Sequence, residues 1–333
     1  MNFTLIICTY QRPKALSVLL ESVKKQTLYP NQILIIDGSV DNNTKDFLTA
    51  QEFENLIYIK VDDSQRGLTK QRNVGIQNVH VNSEIVCFLD DDTVLERSYF
   101  QELINSYKIN PDAIGIGGYI SNEVDWDKAG KSEIKNNNYF YIEEYRRKEA
   151  LRYKLRTKLR LVDDTPPGFM PIFSHGRPVS YLPPSGKIYP VEFFMGGVSS
   201  FRKNIFNKIQ FSNYFEGYGL YEDMDFCLRA SKIGQLYVNT KARLGHFHDS
   251  LGRPNKFNYG KMVVRNGYYV WRVKFTKPAI RAKFKFYCNV FVLGSLRFIN
   301  SFKGKNKMES FTESMGRFYG LISILLKAPE QTK

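Results

Sequence analysis

Short apolar runs alternate along the first hundred residues with segments whose apolar positions recur every three to four residues. Leu5 to Cys8 is a run of the first kind, and Lys14 to Lys25 follows with Leu16, Leu19, Leu20 and Val23 at helical spacing. The same alternation predicts a strand over Gln32 to Ile36, a helix over Thr44 to Phe53, a strand over Ile57 to Val61, a helix over Leu68 to Val79 and a strand over Glu84 to Leu89. Short strand–helix units of this kind build a doubly wound, mostly parallel α/β sheet of the Rossmann-like type, covered by helices on both faces. Beyond Tyr119 the pattern loosens. Asn136 to Leu161 is polar and charged and reads as helix, while Asp163 to Pro190, rich in Pro, Gly and Ser, reads as loop or edge strand. Regular signals return at Val191 to Arg202, and at Tyr221 to Ile233 a helix sets Phe226, Leu228, Ala230 and Ile233 among charges.

The expected organisation is a domain over residues 1–252 and a helical basic extension over 253–333. The first divides into 1–120, an insertion at 121–190 and a closing part at 191–252. Charge supports the division at 252. Of a net +15, the stretch from Arg253 to Lys333 carries 17 Lys/Arg against 3 Asp/Glu, whereas the first 252 residues carry 31 against 30. An anionic partner for the extension follows. Its cations are interleaved with Tyr268, Tyr269, Trp271, Phe275, Phe284, Phe286, Tyr287 and Phe291. That mixture suits a helix lying on an anionic membrane or a platform for single-stranded nucleic acid, unless the segment simply packs on the core.

The four cysteines, Cys8, Cys87, Cys227 and Cys288, lie far apart in apolar surroundings and form no Cys-x-x-Cys pair. Reduced thiols in a cytoplasmic compartment are expected. No basic region precedes the first strand, which argues against a signal peptide, and the apolar stretch Phe286 to Ile299 is too short to span a bilayer.

The strand at Ile85 to Leu89 runs without a linker into Asp90-Asp91-Asp92. Three adjacent carboxylates repel one another and call for a compensating cation, and oxygen ligands of this type suit Mg²⁺ or Mn²⁺ bridging the phosphates of a substrate. A solvated turn with Asp as helix cap is the simpler alternative. Three further polar clusters fall at predicted strand ends or turns: Thr9-Tyr10-Gln11-Arg12-Pro13, Asp37-Gly38-Ser39, and Arg66-Gly67 with Arg72-Asn73. The carboxyl ends of parallel strands share one edge, so all four can meet in one crevice. There Asp37 can accept from a base or ribose, and Arg66 or Arg72 can neutralise a phosphate. His246 and His248 alternate in Gly245-His246-Phe247-His248-Asp249, which sets both imidazoles on one face of an extended segment and suits metal ligation.

Taken in order, these motifs resemble the family 2 inverting glycosyltransferases of the GT-A fold. The resemblance covers roughly residues 1 to 250 and extends through Gln71-Arg72-Asn73-Val74-Gly75, Gly196-Gly197 with Phe201-Arg202, and Tyr221-Glu222-Asp223-Met224-Asp225-Phe226. It implies a nucleotide-diphospho-sugar donor held by the first half, with Thr9, Tyr10, Arg12, Asp37, Arg66, Gly67, Arg72, Asp90 and Asp91 in the donor set. Asp90 would meet the ribose and Asp92 the metal. It further implies acceptor contacts at Gly196 and Gly197, a metal-ligating His, for which His246 is preferred over His248, and a catalytic base at Asp223, with Glu222 the second choice. A metal on the diphosphate and a carboxylate taking the acceptor hydroxyl's proton are what inversion needs.

Such enzymes assemble bacterial-type surface polysaccharide or glycolipid, many on lipid-linked carriers. A glycan or lipid-linked acceptor and a peripheral position on the inner face of the cell membrane are therefore expected, with nucleic acid the weaker reading of the tail. The rival class is a non-catalytic sugar-nucleotide or polyanion-binding protein on the same fold. Three departures from the family pattern stand out: Asp37 abuts Gly38 directly, Val198-Ser199-Ser200 follows Gly197 where cysteine and asparagine are usual, and no double glycine precedes the acidic motif.

Overall fold

The computed structural model of the protein describes residues 1–130, 133–215, 217–248, 254–303 and 306–330. The chain forms two compact units, Met1–Val124 with Pro184–Gly252, and Asp125–Pro183 with Arg253–Lys333. Residues 125–183, which the sequence pattern had assigned to the first domain, cluster with the C-terminal helices.

The first unit opens with β1 (Phe3–Thr9), α1 (Pro13–Lys24), β2 (Gln32–Asp37), α2 (Asn43–Thr49), β3 (Leu56–Lys60), α3 (Leu68–Gln77), β4 (Ile85–Asp90), β5 (Thr93–Leu95), α4 (Tyr99–Ile109) and β6 (Ala113–Ile120). Every helix and strand expected before Tyr119 is present, within a few residues at each end. In the second unit lie β7 (Asp127–Lys128), β8 (Tyr139–Ile142), β9 (Tyr145–Lys148) and α5 (Leu151–Lys158). The first unit resumes with β10 (Ile188–Val191), β11 (Val198–Arg202), α6 (Glu222–Ala230) and β12 (Gln235–His246). Three helices of the second unit end the chain: α7 (Lys256–Lys274), α8 (Ile280–Ile299) and α9 (Lys307–Leu326).

In the first unit the strands follow the order β10-β12-β6-β11-β4-β1-β2-β3, with β5 on β12. Strands β1, β2, β3 and β4 are mutually parallel, as are β6 and β12, while β5, β10 and β11 run against them. The sheet is therefore mostly parallel in sense. Its order reverses between β1 and β4, which opens a crevice at the carboxyl ends of those strands. β4 lies between β1 and β11, so Ile85 to Leu89 are all buried, which explains an unbroken apolar run where an exposed strand would alternate. Leu16, Leu19, Leu20 and Val23 of α1 and Tyr99, Phe100, Leu103 and Ile104 of α4 close the core over the sheet. Each such side chain contributes about 1.5–3 kcal/mol on burial.

The stretch from Asn136 to Leu161, expected to be helix, is a β8–β9 hairpin followed by the short α5. Tyr139 to Ile142 and Tyr145 supply strand-forming side chains, and Glu143 takes the left-handed conformation at the turn (φ 53°). Charges of this stretch stack on rings: Arg147 lies 4.0 Å from the Tyr181 ring and Arg146 4.7 Å from that of Tyr139. Arg156, Ile172 and His175 bond or stack to Asn289, Trp271 and Phe286, which ties the insertion to α7 and α8.

Several tail aromatics are core residues rather than surface ones, since Tyr268, Tyr269, Trp271 and Phe286 are buried, whereas Phe284 and Phe291 are exposed. Among the described residues no helix is long and apolar enough to cross a membrane. The four cysteines are free thiols.

Helices α7 and α9 approach closely through glycine. A Cβ on Gly316 would sit 2.0 Å from the Phe257 carbonyl oxygen, and one on Gly260 2.1 Å from that of Glu313. Gly316→Ala therefore sets two effects against each other. Helix propensity favours alanine by about 1 kcal/mol, but forcing backbone apart costs about 1–3 kcal/mol. We expect net destabilisation in urea unfolding followed by far-UV circular dichroism; a variant as stable as the parent would refute the close approach.

Candidate active site

The register of the sheet aligns the strand ends. Cys8 on β1 faces Asp90 on β4, Thr9 faces Asp37 on β2, and His246 on β12 faces Thr93 on β5. Antiparallel β11 starts at this same edge, so the preceding Gly197 accepts a hydrogen bond from the Asp90 amide through its carbonyl (3.1 Å).

The Asp triplet separates in three directions. Asp91 turns inward, where it accepts from Thr9 Oγ1 (2.7 Å) and Arg12 Nη1 (3.0 Å). Burial nevertheless pushes its carboxyl up to about 6, against the pull of Arg12 and Thr9. Thr9, Arg12 and Asp91 thus form an internal brace beneath the crevice. Asp92 points to His246, with Nε2 3.1 Å from Oδ1, and lies 3.8 Å from Arg12. Asp90 is the most exposed of the three at 37% and lies 3.6 Å from Arg72.

Arg72, from the middle of α3, is buried against the rings of Phe88 and Phe211, at 5.7 Å and 5.2 Å. Its guanidinium donates to Glu222 and faces Asp90. Burial works against its charge, but the two carboxylates outweigh it and hold the cation firmly protonated. Glu222 opens α6, directly after Tyr221 in the left-handed conformation (φ 71°). Burial pushes Glu222 up to about 8 even with Arg72 beside it, and its Oε2 is buried without a hydrogen-bond partner. Asp223, the next residue, accepts from the Gly196 amide (3.0 Å) and from its neighbour Met224 (2.7 Å). Burial raises its pKa too, opposed by those two amides.

Gly196 and Gly197 are explained by crowding. A Cβ on Gly197 would lie 2.0 Å from Asp90 Oδ2, and one on Gly196 2.6 Å from Arg72 Nη1. These glycines leave room for the charged cluster. A cavity of about 80 Å³ is lined by Arg72, Asp90, Gly196, Glu222, Asp223 and His246, with Gly197 also on its wall.

Other expected residues lie elsewhere. Asp37 is fully buried, accepting from the Ser39 amide and the Tyr58 hydroxyl, each at 2.8 Å, so it shapes the turn after β2 from within. Arg66 donates to the Gly38 carbonyl (2.7 Å), pairs with Asp63 and lines a wide depression of about 530 Å³ with Ser39, Val40 and Lys60. Gly67 precedes α3 at φ 119°, and Tyr10 is exposed after β1.

His246 and His248 lie with ring centroids 4.0 Å apart, as strand alternation suggested. Glu123 is the residue the sequence reading missed. Its Oε1 is 2.9 Å from His248 Nε2 and 3.3 Å from His246 Nδ1, the latter without hydrogen-bond geometry. Adjacent Asn122 clamps the His246 backbone, accepting from its amide and donating to its carbonyl at 2.9 Å each. No local pattern marks Asn122-Glu123, because only the pairing of β6 with β12 brings them to the site.

Among the described residues two donor sets could hold a divalent cation, Asp90–Asp92–His246 and Glu123–His246–His248, with ligand atoms in each set within 4.8 Å of one another. The first fits better, since its carboxylates come from the triplet that the fold keeps despite mutual repulsion. Burial would strip His246 of its proton, yet Asp92, Glu123 and Asp90 hold it up to about 10. The proton stands in for the positive charge this carboxylate cluster requires.

Residues 4–169 match the family model described as Glycosyl transferase family 2, and residues 176–249 match that described as N-terminal domain of galactosyltransferase. Over 147 residues the chain is 29% identical to the glucosyl-dolichyl phosphate glucuronosyltransferase of Haloferax volcanii, covering 43% of this chain and 44% of that protein. It is 26% identical over 98 residues to the O-antigen chain rhamnosyltransferase RfbN of Salmonella typhimurium, covering 29% and 30%. The chain thus spans less than half the length of these curated relatives.

Among solved structures, S. aureus TarS 1–349 in complex with UDP aligns over 97% of this chain and 81% of its own, at 15% identity and a TM-score of 0.50. The mannosyltransferase PcManGT of Pyrobaculum calidifontis, in complex with GDP-Man and Mn²⁺, aligns over 97% and 87% at 11% identity and a TM-score of 0.57. The mixed sheet with this strand order and these neighbours is the GT-A fold. The match over residues 4–169 places the chain among the family 2 glycosyltransferases, and the second match covers the segment bearing Gly196, Glu222 and Asp223.

Proposed function

We propose that the protein is a metal-dependent inverting glycosyltransferase that moves a sugar from a nucleotide-diphospho-sugar to a hydroxyl of a glycan or lipid-linked acceptor. The observation that carries this reading is the meeting, in one cavity, of a carboxylate suited to proton abstraction, Asp223, with the Asp90–His246 side of a cation-binding cluster. The nucleotide-bound complexes of TarS and PcManGT lend support to a nucleotide-sugar donor, and the Mn²⁺ of the latter to the metal. Two carboxylates with an imidazole suit Mn²⁺ better than Mg²⁺. The cation, when bound, would neutralise charge developing on the diphosphate leaving group.

The chain's own residues divide the remaining work. Attack of the acceptor oxygen on the anomeric carbon forms the new glycosidic bond as the bond to the diphosphate breaks, and the hydroxyl proton passes to Asp223. Amides of Gly196 and Met224 fix that carboxylate, while burial keeps it basic enough to take a proton. Glu222 is the poorer base, because Arg72 holds its Oε1 and its side chain is buried. Arg66, Ser39 and Lys60 line a depression wide enough for a nucleoside. The relative named for a dolichyl-phosphate substrate supports a lipid-linked acceptor reached from a membrane surface.

Release of nucleoside diphosphate from a panel of UDP- and GDP-sugars, with and without Mn²⁺, tests the proposal. We expect no release without metal, and Asp92→Ala to lose the release that Mn²⁺ supports. Asp223→Asn should lower transfer by about 10²–10⁴-fold, the range for a general base, while UDP with Mn²⁺ still raises its melting temperature. Transfer at the parent rate by Asp223→Asn would remove it as base. Donor binding without turnover by the parent, across the panel, would favour a binding protein instead.

Titration of Glu222 gives a second test, on the metal-free protein. Its folded-state pKa, about 8, stands above the ordinary 4.5, so between those values the unfolded chain releases a proton that the folded chain keeps. Stability must therefore fall as pH rises through that window. Glu222→Gln should flatten the decline in denaturant midpoints measured across it; an unchanged slope would show that Glu222 is already ionised.

A further inference from the structure

Helices α8 and α9 leave a continuous apolar seam uncovered. The Phe291 and Phe318 rings lie 6.0 Å apart and those of Phe298 and Phe311 6.1 Å, so seven residues forward on α8 match seven backward on α9. The helices are antiparallel, and the same register sets Phe284 opposite Leu325. Those two are 69% and 62% exposed, and Phe302 and Met308 at the other end are exposed as well. Along α9, Met308, Phe311, Ile322 and Leu325 recur at the spacing of one helix face. Scattered exposed apolar residues need no explanation, but a two-helix stripe of phenylalanine and leucine does.

Charge identifies what covers it. Residues 277–327 carry ten Lys/Arg against two Glu. Both glutamates are already paired, Glu313 with Arg297 (2.8 Å) and Arg317 (2.7 Å), and Glu309 with Lys256 (3.3 Å). Arg281 and Lys327 are exposed at one end of the seam, Lys303 and Lys307 at the other. A second copy docked by a two-fold axis would bring these cations face to face. Anionic headgroups would instead supply the missing counter-charge while acyl chains accept the phenylalanines. No described helix is apolar enough to span, which leaves the stripe lying in the interface.

We infer that the α8–α9 seam is a docking face for the surface of an anionic bilayer, with Phe284, Phe302, Ile322 and Leu325 entering the interface and Arg281, Lys303, Lys307 and Lys327 meeting headgroups. The buried aromatics of α7 take no part. These helices carry none of the residues assigned to donor or base, so vesicle binding and sugar transfer succeed or fail independently.

Co-sedimentation with vesicles of equal parts phosphatidylglycerol and phosphatidylcholine, against phosphatidylcholine alone, tests the inference. The parent should bind the mixed vesicles only, and more weakly as salt rises. Lys303→Ala with Lys307→Ala should weaken partitioning by about 30-fold, each cation near an anionic surface being worth about fivefold. Phe284→Glu with Leu325→Glu should abolish it with the circular dichroism melt unchanged, both positions being exposed. Absence of binding to the mixed vesicles, or equal binding by the Phe284→Glu, Leu325→Glu variant, overturns the inference. So does a dimer in solution that this variant splits.

Discussion

The candidate site is organised around one buried cation. Arg72 leaves α3 against two aromatic rings and reaches carboxylates from opposite parts of the chain, Asp90 at the end of β4 and Glu222 at the start of α6. A guanidinium taken out of water costs several kcal/mol unless its charge and donors are answered. Here the answer fixes function-bearing elements to each other. Asp90 belongs to the aspartate triplet, and Glu222 precedes Asp223, so a single side chain couples the triplet to the proposed base. Gly196 and Gly197 follow from the same constraint, since Cβ atoms at either would collide with the charges being held.

The three aspartates solve their mutual repulsion by pointing apart. Asp91 is answered by Arg12 and Thr9 within the protein, Asp90 partly by Arg72, and Asp92 by a proton on His246. The last is the weakest arrangement, because burial opposes the charge on the imidazole. A divalent cation among Asp90, Asp92 and His246 would replace the proton with a stronger positive charge and leave the imidazole neutral, the form that ligates.

Much of the first unit was legible in the chain because its signals are local. β1 through β4 each carry their own period, and strand ends in a parallel sheet share an edge by geometry, so Asp90 and Arg72 could be assigned to one crevice, whereas the acidic pair on α6 was reached only through the family resemblance. Roles that depend on burial were not legible. Asp37 and Asp91 look like Asp90 in sequence, but Asp37 is bonded by Tyr58 and Ser39 and Asp91 by Arg12 and Thr9. Glu123 escaped notice because it reaches the site only through the long-range pairing of β6 with β12. The hairpin of β8 and β9 was read as helix from its charge, whereas its arginines lie on aromatic rings.

The acidic pair on α6 shows how two adjacent carboxylates acquire different tasks without any difference in chemistry. The left-handed turn at Tyr221 ends the approach to the helix abruptly, and successive side chains at a helix start diverge by about a quarter turn or more. Glu222, longer by a methylene, reaches back to Arg72 and is spent on structure. Asp223, shorter, stops at the mouth of the cavity, where two backbone amides hold it in place without supplying a full opposing charge. The assignment of base to Asp223 therefore rests on side-chain length and on which partner each carboxylate meets, and an exchange of the two residues would put a carboxylate out of reach of Arg72 and another too deep into the cavity.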